Sequence, residues 1–262
     1  LTAGIYLGRA RLNAVIFEKA MAGGQMNLTE YIENYPGFSE GVSGADLALK
    51  MREQAIKCGA VIVNEEIINV GARHAAPLQA SVPKSFILKT SEGSEYEALA
   101  VIAATGANPR KLGVTGEEKF VGRGVSYCAT CDAPLFRDKT VVVVGGGDTA
   151  AQEALFLAKY CSKVYLVHRR DRLRAAKILA ERIAACKKIE PVWNAVVTEI
   201  KGDKKVTGVV INDVGAVHEP PLHQITCDGV FVFAGIVPCS DIVKEIVKVD
   251  KDLRIITDDN MK

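Results

Sequence analysis

Cys128 and Cys131 stand three positions apart, with Asp132 directly after them, in the stretch GVSYCATCDAPLF (124–136). Thiols at this spacing can supply half of a zinc site, pack as an inert apolar pair, or close and reopen a disulfide with a thiolate as nucleophile. Zinc needs four ligands; the chain has no second CxxC, and His74, His168, His218 and His223 show no matching spacing. An inert pair remains open, because cysteine packs well as a small apolar residue. The redox reading explains more, since each opened disulfide leaves a thiolate needing a proton and Asp132 adjoins it. For that task an aspartate requires a partly desolvated site, and it can also cap a helix. The other cysteines, at 58, 161, 186, 227 and 239, are scattered singly. An odd total of seven is no secreted disulfide framework and points to a reducing cytoplasm.

The elements that must position such a pair are legible nearby. TVVVV (140–144) is a short buried strand, GGGDTA (145–150) a turn, and AQEALFLAKY a helix, followed by a second strand KVYLV (163–167). This is a βαβ unit with Gly145 and Gly147 in a G-x-G-x-x-A turn, so Gly145, Gly146, Gly147, Asp148 and Thr149 are candidates for cradling a pyrophosphate at a helix N-terminus. The second strand ends in His168, Arg169 and Arg170, with Arg174 four residues on. An acid there would favour ribose hydroxyls; a basic cluster suits a 2′-phosphate, which favours NADPH. The plainer alternative is a solvated basic turn.

The start of the chain repeats this pattern without its first strand. LTAGIYLGRARLNAVIFEK (1–19) reads as a helix, a turn and the strand VIF (15–17), ending in Glu18, the acid a ribose diol wants, and Lys19. The simplest account is a fragment whose phosphate-binding turn lay just before Leu1. At 262 residues, 48% hydrophobic and 24% charged, the chain has core enough for two domains of roughly 100–150 residues each. A net charge of +2 gives no argument for nucleic acid, and no apolar run reaches the roughly 20 residues of a membrane span. No signal peptide opens it. GADLALKMREQAIKCG (44–59) has helical spacing and ends at Gly59; residues 61–102 read as a strand meander; and 196–213 read as a hairpin about Gly202-Asp203.

Taken in order, LTAGIYLGRA, VIFEK, GGQM (23–26), ENYPGF (33–38), ATGANPRKL (104–112), GRGVSYCATCD (122–132), GGGDTA, HRRDRLRA (168–175) and GVFVFAG (229–235) resemble the low-molecular-weight, bacterial-type thioredoxin reductases over nearly the whole chain. The resemblance implies an α/β fold of two doubly wound, Rossmann-like domains binding FAD and NADPH, the NADPH domain inserted into the FAD domain. Residues 1–112 and 242–262 would form the FAD domain, lacking its C-terminal segment, and 113–241 the NADPH domain. It implies transfer of electrons from NADPH through FAD and the Cys128–Cys131 disulfide to thioredoxin or a thioredoxin-like protein. Cys131 would be nearer the flavin, Cys128 would attack thioredoxin, and Asp132 would be the general acid and base. Glu18, Gly23, Gly24, Gln25, Asn34 and the turn Ala104-Thr105-Gly106 would contact FAD, and Arg123 could help dock the partner. Family members are usually homodimers. Ala133-Pro134 replaces a usual glycine and aromatic, Cys239 a usual asparagine, and Tyr35 a frequent tryptophan. Pro134 still suits a first helical turn. Trp193 and the scattered cysteines read as packing residues. Two other readings compete: the flavoprotein subunit of a peroxiredoxin system, and a non-catalytic NADPH-binding redox sensor.

Overall fold

A computed structural model describes residues 1–73, 85–214 and 223–260. His74 and His218, and the part of the expected meander over 74–84, lie outside the described residues. The chain divides into two compact units, 1–108 with 237–262, and 109–236.

In the first unit, helix α1 (Thr2–Arg9) leads to strand β1 (Val15–Phe17), and helix α2 (Gly44–Lys57) leads to strand β2 (Val61–Val63). Strands β1 and β2 pair in parallel, Val15 opposite Val61. Ser43 caps α2 by accepting the Asp46 N–H at 3.0 Å, and Gly59, at φ 104°, turns the chain out of it. Helix α1 meets the end of α2 so closely that a Cβ at Gly8 would fall 2.6 Å from the Cys58 carbonyl oxygen. Ile5, Ala55 and Ala60 fill the contact. Strands β3 (Ile67–Arg73), β4 (Ser85–Thr90) and β5 (Glu95–Ala98) form an antiparallel meander. Val70 and Leu88 pack with Val243 from the returning chain, and the Phe17 and Tyr96 rings meet edge to face at 4.8 Å. Strand β6 (Ala107–Pro109) ends this stretch.

The second unit contains β7 (Val125–Ser126), α3 (Ala129–Asp132), β8 (Thr140–Gly145), α4 (Asp148–Tyr160), β9 (Lys163–Val167), α5 (Lys177–Ala185) and β10 (Ile189–Val192). It continues with β11 (Ala195–Gly202), β12 (Val206–Asp213), β13 (His223–Thr226) and β14 (Gly229–Phe233). A five-stranded sheet runs in the order β10-β9-β8-β14-β7, parallel throughout. Its two faces are covered differently. Val141 and Val143 pack against the alanines of α4 and against α5, while Val142 and Val144 pack against β11 and β12 of the antiparallel β11-β12-β13 sheet. The period-2 alternation of side chains thus turns one run of four valines toward two separate cores. One face of this Rossmann-like unit is therefore covered by a second sheet rather than by helices.

Strand β15 (Ile236–Pro238) pairs with β6, so the two stretches in which the chain crosses between the units run side by side. The compact units divide at Asn108/Pro109, and Leu112 and Val114 pack against the core beneath β11 and β12. They divide at Ile236/Val237 on the return.

Leu157 on α4 is fully buried, whereas Leu135 is 68% exposed. Leu157→Ala should destabilise the second unit by about 2–5 kcal/mol, measured by urea unfolding. Leu135→Ala should change stability by no more than about 0.5 kcal/mol.

Candidate active site

Cys128 and Cys131 are joined as a disulfide, with Cα atoms 5.4 Å apart. Cys128 occupies the N-cap of α3 in an extended backbone conformation, and its Sγ accepts the Cys131 N–H at 3.2 Å. Its own N–H donates to Ser126 Oγ at 3.1 Å, and that hydroxyl donates to the Cys128 carbonyl at 3.1 Å. Ala129 and Ala133, one helical turn apart, are fully buried in the core shared with α4, which turns Cys131 outward. Cys131 is exposed; Cys128 and Asp132 are half-buried. Pro134 sits in the first turn of the 3-10 segment Ala133–Phe136 that continues α3.

The glycine loop lies at the same edge of the sheet. Strands β7, β8, β9 and β14 all run the same way, so the disulfide after β7, the loop after β8 and the basic turn after β9 all leave from the carboxyl ends. The chain reverses its direction of sheet growth between β8 and β14, where α/β sheets open a ligand crevice. The glycines there differ in what demands them. A Cβ on Gly145 would fall 2.5 Å from the Phe233 carbonyl oxygen, and one on Gly146 would enter the His168 ring at 2.2 Å. At Gly147, the N-cap of α4, a Cβ would meet no protein atom within 4 Å. Packing requires the first two; the third borders open space at the helix N-terminus.

The basic turn is tied onto this loop. Arg174 N–H donates to the Gly146 carbonyl at 2.7 Å, and the Asp148 carboxylate accepts the Ala176 N–H at 2.7 Å. Asp148, the first residue of α4, is thereby engaged with the chain itself, and Thr149 follows it in the first turn. Arg169, Arg170 and Arg174 are exposed. His168 is not a fourth cation beside them: it is 5% exposed, with its ring under Gly146 and Nε2 unpartnered. Burial, reinforced by Arg174, Arg169 and Arg170, pushes its pKa below the ordinary histidine value. The exposed positive charge of this turn therefore sits on the three arginines. Trp193, expected as packing, is 36% exposed and meets the His168 ring edge to face.

In the first unit, Glu18 follows β1 and its carboxylate accepts the Ala20 N–H at 3.1 Å. Lys19 pairs with Glu66 at 3.1 Å on the surface, and that hydrogen bond raises its pKa. Gly23, at φ 123°, and Gly24, at φ 54°, turn the chain into the short 3-10 helix carrying Gln25. Gln25 Nε2 donates to the Ala107 carbonyl at 2.5 Å and lies 3.9 Å from where a Gly106 Cβ would be. The turn Ala104–Gly106 is exposed; Thr105 Oγ1 donates to the Cys239 carbonyl at 2.5 Å, and Cys239 N–H donates to the Gly106 carbonyl at 3.0 Å. The structure therefore gathers Gln25, Thr105, Gly106 and Cys239. Asn34 stands apart from them, lining a hollow of ≈470 Å³ formed by residues 33–39. Among the described residues, no cluster of three or more His, Cys, Asp or Glu could hold a metal ion. No helix among them is long and apolar enough to cross a membrane.

Residues 1–262 match the pyridine nucleotide-disulphide oxidoreductase family. The thioredoxin reductase of Treponema pallidum is 41% identical over the whole chain, which spans 81% of that protein. That of Mycolicibacterium smegmatis is 44% identical over 96% of the chain and 76% of its own length. The crystal structure of Lactococcus lactis thioredoxin reductase superposes with a TM-score of 0.91 at 36% identity, covering 100% of this chain and 82% of that one. The chain belongs to the thioredoxin reductases. It is a flavin- and nicotinamide-linked disulfide oxidoreductase, and its cysteine pair is closed as a disulfide rather than held as two separate packed thiols.

Sequence reasoning passed over Glu117, a buried carboxylate in the loop before Cys128. Its neighbours, LGVTGEE (112–118), read only as a glycine-containing connector; nothing in the local pattern marks one glutamate as buried.

Two outcomes are expected. Gly146→Ala should lower thermal stability, whereas Gly147→Ala should leave it unchanged yet weaken binding of the nicotinamide dinucleotide, measured by melting and by fluorescence titration. The folded His168 pKa lies below the unfolded value near 6.5, so the unfolded chain binds more protons. Its contribution is full above about pH 6.5 and falls as pH drops toward the folded pKa. His168→Gln should flatten the acid side of the stability curve in urea unfolding followed from about pH 7 to 5.

Proposed function

We propose that this chain is a thioredoxin-disulfide reductase, using NADPH as reductant and FAD as its flavin, in the cytoplasm. The observation that carries this reading is the Cys128–Cys131 disulfide, with its N-cap hydrogen bond, at the carboxyl edge of a nucleotide-binding sheet. Bound flavin would supply the two-electron relay between nicotinamide and disulfide.

The residues present fit both groups. Open space at Gly147 and the N-terminus of α4 suit a pyrophosphate, with Gly145, Gly146, Asp148 and Thr149 forming the turn. Arg169, Arg170 and Arg174 offer exposed guanidinium forks to a 2′-phosphate, and His168 holds the loop beneath them. Glu18 would take the adenosine ribose of FAD, with Lys19 beside it. Gly23, Gly24, Gln25, Asn34, Ala104, Thr105 and Gly106 would form the rest of that site. Five unpaired cysteines suit a reducing compartment.

In the dithiol form, the Cys131 N–H that now reaches Cys128 Sγ would hold a Cys128 thiolate, favouring Cys128 as the nucleophile. Exposure alone would favour Cys131; the hydrogen bond favours Cys128. The Cys128 thiolate attacks one sulfur of the partner disulfide, forming a mixed disulfide and releasing a partner thiolate, which takes a proton. Cys131 then loses its proton and attacks Cys128 Sγ, which restores the internal disulfide and releases the second partner thiolate. Two electrons pass to the partner, and half-buried Asp132, next in the chain to Cys131, would hold and return the proton there.

With flavin-loaded protein, Cys131→Ser should accumulate a mixed disulfide between Cys128 and thioredoxin. Cys128→Ser should keep reduction of the flavin by NADPH while abolishing thioredoxin turnover. Loss of flavin reduction in Cys128→Ser, or trapping through Cys131 instead, would overturn the assigned roles. Arg169→Ala should raise KM for NADPH about tenfold or more while sparing NADH, the effect of one charge-assisted contact.

A further inference from the structure

Glu117 is 1% exposed, and burial of a carboxylate is costly unless its oxygens are satisfied. No cation pairs with it in the contacts described; neutral donors surround it instead. Oε1 accepts the Leu112 N–H at 2.9 Å and the Tyr127 hydroxyl at 2.8 Å, and Oε2 accepts the Gly113 N–H at 2.7 Å. Three donors thus meet its two oxygens. The donors come from two places that matter for the disulfide. Leu112 and Gly113 belong to the stretch through which the chain enters the second unit. Tyr127 directly precedes Cys128. On its other side, this entry stretch is bonded to β11 through the Ile200 N–H and the Thr115 carbonyl at 2.8 Å.

We propose that Glu117 is a positioning residue for the redox disulfide: its buried carboxylate locks the incoming chain and Tyr127 into one rigid block, and so sets how the Cys128 sulfur is held toward Cys131. The physical reason is the shortness of the path from carboxylate to sulfur. Tyr127 is anchored at its hydroxyl, Cys128 is held at its backbone by Ser126, and little freedom remains for the sulfur. A disulfide is stable in proportion to how well its two thiols are held within bonding reach. Releasing the Tyr127 hydroxyl frees the residue before Cys128 and makes the disulfide easier to reduce. Burial and the Glu117 contact also push the Tyr127 phenol well above its ordinary pKa, so it remains a donor throughout the working pH range. This inference deepens the functional reading above and rests on it only for the importance of the pair.

The test equilibrates the full chain with glutathione buffers, in which two glutathione thiols are oxidised to one glutathione disulfide as the Cys128–Cys131 bond is reduced to two thiols. The state of the Cys128–Cys131 peptide is read by alkylation and mass spectrometry. Tyr127→Phe and Glu117→Gln should each shift the equilibrium toward the dithiol by about fivefold, the worth of one buried hydrogen bond. The double variant should shift it no further than the larger single one, because both act through the same contact. An unchanged equilibrium in folded Tyr127→Phe protein, or additive shifts in the double variant, would overturn the proposal. If Glu117→Gln does not fold, Tyr127→Phe decides alone, since it keeps the carboxylate and both backbone N–H contacts. The measurement needs neither flavin nor thioredoxin, so failure to turn over thioredoxin would count against the proposed function without touching this result.

Discussion

Strand β8 must be dry on both faces, and the second unit is arranged around that requirement. Val141, Val142 and Val143 have no solvent exposure and Val144 has 9%, so alternate side chains must each find a cover. Ala150, Ala151 and Ala154 let α4 lie close on one side, and β11 and β12 close the other. Both its faces are thus filled, and both its edges are paired, with β9 and β14. Burial of apolar surface, the largest favourable contribution to folding, thereby leaves the glycine turn at the strand's carboxyl end, where the N-terminus of α4 begins. The glycine loop, the basic turn and the disulfide all occupy that end.

The polar chemistry follows from the same geometry. Ala129 and Ala133 anchor α3 and the turn after it to the helical core and leave Cys131 exposed. Two carboxylates near this end serve as acceptors for the chain's own N–H groups: Asp148 for the basic turn, Glu117 for the entry stretch. Such internal acceptors order loops without adding net charge to the surface. Histidine takes a similar part: His168, held neutral by burial, supports Gly146 from below while the arginines carry the charge. The first unit uses the opposite sign at the equivalent strand end, Glu18 after β1, on a parallel pair built from the same helix-then-strand unit. Both halves thus place a charged residue just after a parallel strand, and the two differ in the sign of that charge.

Much of this was legible from local patterns. The strands 15–17 and 163–167, the helix ending near Gly59 and the hairpin over 196–213 follow from periodicity and turn chemistry alone, and each appears where residue order places it. The CxxC pairing was legible too, because two thiols three residues apart in an N-cap conformation are already within reach. The basic character of 168–174 was visible, but the different fate of His168 within it was not. Its neutrality depends on Gly146, distant in sequence, lying on its ring.

By itself, the amino-acid order determined the βαβ pattern, the pairing of Cys128 with Cys131 and the charge at each strand tip, since all three depend on neighbours a few residues apart. Tertiary structure alone decided that an antiparallel sheet, not helices, covers the second face of the parallel sheet. It alone made Glu117 a buried acceptor and His168 a neutral support. Burial and desolvation are properties of where distant segments meet, and a carboxylate or imidazole takes its charge and its role from that meeting rather than from its neighbours in the chain.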